Sequence, residues 1–149
     1  MRRLFCAIGV ASLVASAIVS AQQPEKERSP VQQYRGKTEA GLLICKLHLQ
    51  LEQAIEANPR GARSVEVKPD AIGCRKELAG ETRNLLDSAL ETLDSEAAKS
   101  ALKTYHVAFA TALKGIEPGM GEHAINYDAR QQRLQEKMTE AWVAFELGQ

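Results

Sequence analysis

Two cysteines, Cys45 and Cys74, sit in apolar runs of helical period on either side of a stretch that breaks that period. If they are bonded, their Cα atoms must lie within about 4.4–6.8 Å of each other. That condition fixes where one helix meets the next. It constrains the fold more than any other feature of the 149-residue chain. Whether the bond forms depends on the compartment, and the first residues bear on that.

The chain opens with "MRRLFCAIGVASLVASAIVSA". Arg2 and Arg3 form a short basic region, an uncharged stretch runs from Leu4 to Val19, and Val19-Ser20-Ala21 offers small or modest side chains for cleavage. This pattern reads as a secretory signal peptide over residues 1–21, cut after Ala21. The apolar run is short for a membrane span and ends in small residues, so no stable membrane insertion is expected after cleavage. Its alanine content suits a bacterial exporter, which places the protein in the periplasm or outside the cell. Cys6 leaves with the signal, and two cysteines remain in an oxidising compartment. The simplest reading of Cys45 and Cys74 is a disulfide, worth roughly 3 kcal/mol through the loop it closes.

Residues 22–37, "QQPEKERSPVQQYRGK", hold two prolines and little to bury, and read as a flexible leader. The helical domain is then expected over 38–149. Its first helix spans 38–58, capped by Thr38 and stopped by Asn58-Pro59. Leu43, Leu47, Leu51, Ile44 and Ile55, with Ala40 and Ala54, form one apolar face of about 120°. Cys45 lies on a second, smaller face with Leu42 and Leu49. The second helix spans 70–93 behind Asp70. The third follows Asp94-Ser95 and ends at Gly115-Ile116, with the glycine in a left-handed turn. The fourth spans 122–147 after the turn "EPGMG". Low aromatic content, with alanine and leucine dominant, favours helix. The expected fold is all-α: a four-helix bundle-like domain with a core of Leu47, Leu51, Leu85, Leu102, Phe109, Leu134, Met138 and Trp142.

The disulfide shapes the connection between helices 1 and 2. With helix 1 starting at Thr38, Cys45 lies near its start, about 20 Å before its end, while Cys74 is in the first turn of helix 2. A tight hairpin would keep the two apart. Residues 59–70 are therefore expected to form a long extended crossover that runs back along helix 1, with Val65 and Val67 covering Leu42 and Leu49. Twelve extended residues reach about 40 Å, enough for the return. Helix 2 would then run parallel to helix 1 or cross it.

Cys45, His48 and Glu52 share an arc of roughly 60° on helix 1, an arrangement that could also suit a metal or a catalytic group. The bond to Cys74 removes the thiol, so the staple reading is preferred and His48 becomes a boundary residue. No Glu-x-x-His pair, Cys-x-x-Cys-His, glycine-rich phosphate loop or nucleophile elbow occurs. Ser, His and Asp show no recognisable spacing, and the residues point to no cofactor. Met120 and His123 form one weak pair suited to copper. Removing Arg2 and Arg3 from the 19 basic residues leaves 17 against 19 acidic ones, which gives no pull toward nucleic acid or anionic lipid.

The expected function is therefore that of a small exported helical protein acting as a non-enzymatic protein-interaction module. Its partner would be another periplasmic or secreted protein, met through Arg60, Arg63 and Lys68 of the crossover and Met120 of the turn. A bundle that carries a small ligand or a metal such as copper or zinc is the alternative, ahead of a hydrolase with an unrecognised site. The signal-peptide reading predicts that exported protein begins at Gln22. Intact mass or N-terminal sequencing checks it, and a membrane-retained product that keeps residues 1–21 would refute it.

Overall fold

The computed structural model describes residues 28–59 and 69–148. Among them the chain forms four α-helices and no strand: α1 over Pro30–Ala57, α2 over Ala71–Glu91, α3 over Glu96–Lys114 and α4 over Ala124–Leu147. The all-α, four-helix expectation holds, with α1 packed mainly on α2 and α3 mainly on α4. The expected signal peptide over 1–21, the expected leader up to residue 27 and residues 60–68 of the expected crossover lie outside the described residues.

α1 starts at Pro30 rather than Thr38, so residues 30–37 are helix and not leader. Ser29 and Gln32 form a capping box. The Ser29 side chain accepts from the Gln32 amide, and the Gln32 side chain accepts from the Ser29 amide. Pro30 occupies the first helical position, where its missing N–H costs nothing and its fixed φ helps. Read as a breaker, it is in fact a starter. Thr38 is not a cap but a buried interior residue.

The buried face of α1 consists of Tyr34, Thr38, Gly41, Leu42 and Cys45. The broad leucine face expected in the core points outward: Leu43, Ile44, Leu47 and Leu51 are 60%, 50%, 48% and 47% exposed. Leu47 and Leu51 are thus not core residues. The inner face is chosen by fit. Gly41 lets the Leu78 side chain of α2 lie directly on the α1 backbone, where any Cβ would collide with it. The polar members are satisfied. The Thr38 hydroxyl donates to the Arg35 carbonyl (2.8 Å) and accepts from the Tyr105 hydroxyl (2.8 Å).

α2 runs antiparallel to α1, contrary to the expected parallel or crossed course. Lys37 pairs with Glu81, Gly41 meets Leu78, Cys45 is bonded to Cys74, and His48 receives the Asp70 amide. The two chains are read in opposite order along this series. The earlier start of α1 puts Cys45 at mid-helix, so α2 can begin there and run back toward Pro30. The last turns of α1, up to Ala57, extend past the start of α2.

The remaining core assignments hold. Leu102, Phe109, Met138 and Trp142 are buried, and Leu85 and Leu134 pack partly buried against them. Tyr34, Tyr105, Trp142 and Phe145 add a chain of ring contacts, with centroids 5.9, 5.1 and 5.0 Å apart in that order. Asp70 caps α2 as expected, and of the two candidates Asp94 and Ser95 it is Ser95 that caps α3. Gly115 closes α3 with φ −78°, not in the left-handed region, and Ile116 after it is fully buried. The two surroundings predict opposite outcomes for equal truncations. Phe109→Ala should cost about 3–5 kcal/mol, and Leu47→Ala less than about 1 kcal/mol, as read from urea unfolding midpoints.

Candidate interaction surface

Cys45, His48 and Glu52 act together, and what they hold is the start of α2. The Cys45–Cys74 bond brings the Cα atoms to 5.5 Å. His48 Nδ1 accepts the Asp70 amide at 3.0 Å, and Glu52 Oε1 accepts the Ala71 amide at 2.9 Å. Asp70 in turn accepts the Gly73 amide at 2.7 Å. Helix N-termini carry unpaired donors and a partial positive charge, so a carboxylate and an imidazole acceptor satisfy that end. This is the staple reading of that arc, with two hydrogen bonds added to the covalent one.

Arg60, Arg63 and Lys68 lie outside the described residues. Met120 is fully solvent-exposed on the turn between α3 and α4. Arg75 at the start of α2 pairs with Glu117 beside that turn, so α2 begins at the same end of the molecule. The turn is clamped. Arg130 Nε and Nη2 bind the two oxygens of Glu122 at 2.9 and 2.7 Å, and Arg130 also donates to the Gly115 and Glu117 carbonyls at 2.6 and 2.9 Å. Glu122 accepts the Gly119 amide at 2.8 Å. The Arg130 guanidinium, then the Gly119 amide, lower the Glu122 pKa to about 2. The Gln131 side-chain amide donates to the Gly115 carbonyl, and the Tyr127 hydroxyl donates to the Ile116 carbonyl at 2.7 Å.

One exposed apolar row is a face that hydrophobic periodicity alone assigns to the core. Along α1, Leu43, Ile44, Leu47 and Leu51 face solvent. Beside them a groove of about 440 Å³ runs between α1 and α4, lined by Leu42, Leu43, Lys46, Met138, Trp142 and Val143. One end is closed by Arg35, which stacks over the Trp142 ring at 4.5 Å and bonds Glu39 and Glu146 at 2.9 and 3.3 Å. Trp142 Nε1 donates to Glu146 at 2.6 Å. Lys46 lies in the groove wall, and burial lowers its pKa. Single exposed leucines are ordinary, but here four large aliphatic residues follow one another along one helix, beside a groove of mixed apolar and charged lining.

On the opposite side, His106 lines a hollow between α2 and α3 with Thr82, Arg83, Phe109 and Leu113. The Tyr34 hydroxyl, whose pKa burial and then Tyr105 push far up, is hydrogen-bonded to His106 Nδ1 at 2.8 Å. No group of three or more His, Cys, Asp or Glu able to hold a metal occurs among the described residues. No described helix is long and apolar enough to cross a membrane. In comparisons with known proteins, no family model, curated protein or solved structure matches the chain.

Burial first, and then Arg83, hold the His106 pKa below its ordinary value, while Asp87 pulls it up. With the folded value depressed, the unfolded chain takes up this proton first as pH falls. The neutral ring thus contributes its full stability above about pH 6.5, and that share is lost as pH drops below 6.5 toward the folded value. The His106 ring should titrate below about 6.5 by NMR. A His106→Gln variant should show a shallower loss of thermal stability between neutral and mildly acidic pH.

Proposed function

We propose that this is a non-enzymatic protein-interaction module of an exported compartment, and that its working surface is the outer face of α1 with the adjoining α1–α4 groove. The observation that carries this reading is the row Leu43, Ile44, Leu47 and Leu51, which stays solvent-exposed although it is the most apolar face of the longest helix. Met120 stands on a turn clamped by Arg130 and offers a second apolar contact; Arg60, Arg63 and Lys68 of the crossover remain the basic candidates that the sequence offers. The Cys45–Cys74 bond suits a small domain that must keep its shape outside the reducing cytoplasm. The test is affinity capture from the native periplasm with wild-type protein and with a Leu43→Lys, Leu51→Glu or Arg60/Arg63/Lys68 charge-reversed variant, each checked for unchanged helicity. A specific partner that the two leucine variants lose supports the reading. A partner lost only on charge reversal moves the site to the crossover. No partner, together with one tightly held metal per chain, favours the carrier alternative.

A further inference from the structure

The apolar row on α1 has an internal symmetry. Ala40, Leu43, Leu47, Leu51 and Ala54 follow one another at spacings of three, four, four and three residues, so the pattern reads the same in both directions about Leu47. On a helix these positions form one stripe within about 80° of arc. Leu43 is more than half exposed, Leu47 and Leu51 just under half, and Ala40 and Ala54 are exposed. A two-fold interface needs this property: one patch that meets itself with residue i against j and j against i. Antiparallel pairing about Leu47 places Leu47 against itself, Leu43 against Leu51 and Ala40 against Ala54. The small alanines let the two backbones approach at both ends. Ile44 then falls between the partner's Leu47 and Leu51. The stripe itself carries no charge, and Lys46 and Glu39 stand on its flank toward α4.

The area agrees with such a contact. A half-exposed leucine or isoleucine presents on the order of 100 Å² of side chain. The four large residues therefore supply roughly 800 Å² over two copies, and the alanines and flanking glutamines raise this to roughly 1,000–1,200 Å². That is the lower edge of specific interfaces, the range of reversible rather than obligate pairs. We infer that the outer face of α1 is a self-association surface, on which two copies of this chain pair antiparallel about a two-fold axis at Leu47. This inference rests on the reading of α1 as an interaction surface and names its partner.

Analytical ultracentrifugation of the exported, disulfide-bonded protein over a wide concentration range tests it. A reversible monomer–dimer equilibrium is expected, weakened roughly a hundredfold or more by Leu47→Glu, with helicity and melting behaviour retained. The register is tested separately. Leu43→Lys and Leu51→Glu should each weaken the dimer, and the double variant should regain it, because Lys at 43 then faces Glu at 51. A protein that stays monomeric throughout, a dimer indifferent to Leu47→Glu, or a double variant no better than either single one would overturn the proposal. A monomer whose α1 face captures a different exported protein would refute the second copy and leave the interaction reading standing. A monomer that captures nothing would defeat both.

Discussion

The attachment of the α2 N-terminus to the middle of α1 decides most of the architecture. The Cys45–Cys74 bond alone fixes a point and leaves the direction of α2 open. The amides of Asp70 and Ala71, held by His48 and Glu52, add two further points farther along α1. Three points along one helix leave a single course for the other, back toward Pro30. The Lys37–Glu81 ion pair and the close approach at Gly41 lie on that course. A disulfide acts mainly on the unfolded chain, by restricting it. The two hydrogen bonds act on the folded one, where they satisfy donors that a helix start otherwise leaves to water.

From this attachment comes the division of α1 into two working parts. Its first half, Tyr34 to Cys45, lies against α2 and α3 and joins the core through hydroxyl and ring contacts. Beyond Cys45 it offers side chains to the start of α2 and then runs past it. The end of the molecule where α2 begins is also where α3 hands over to α4, tied by Arg75 and Glu117. The exposed leucines, the clamped turn and the flanks of residues 60–68 are thus assembled by the same few anchors.

Much of this is legible in the sequence, and each failure has its own physical cause. Four helices, the caps at Asp70 and Ser95, the disulfide and the core residues Leu102, Phe109, Met138 and Trp142 follow from periodicity, capping chemistry and the expectation of export for a chain left with two cysteines. The start of α1 is lost when Pro30 is weighed as a breaker, although Ser29-Pro30 with Gln32 is a starting signal. The wrong face of α1 is chosen when hydrophobicity stands for burial. The true inner face reads Tyr, Thr, Gly, Leu and Cys, a stripe that looks mixed until one asks which residues can tolerate close approach or find a partner. His48 and Glu52 are visible as an arc with Cys45, but the amides they serve cannot be seen without the direction of α2.

That outward leucine face is not what remains after the core has been filled. Turning α1 by roughly 160° about its axis would bring Leu43, Leu47 and Leu51 inward. The same rotation would carry Cys45 away from Cys74, withdraw Thr38 from Tyr105 and Tyr34 from His106, and replace Gly41 against Leu78 with a bulkier residue. Each loss is independent of the others, and two of them would strand buried polar groups, at a cost of about 1–3 kcal/mol each. The covalent bond, the buried hydrogen bonds and the packing therefore all fix one rotation of α1, the one that presents its most apolar face. Agreement among unlike constraints is how a sequence specifies a single state. A face held outward by all of them is built into the fold, and its symmetry about Leu47 suits it to meet its own copy.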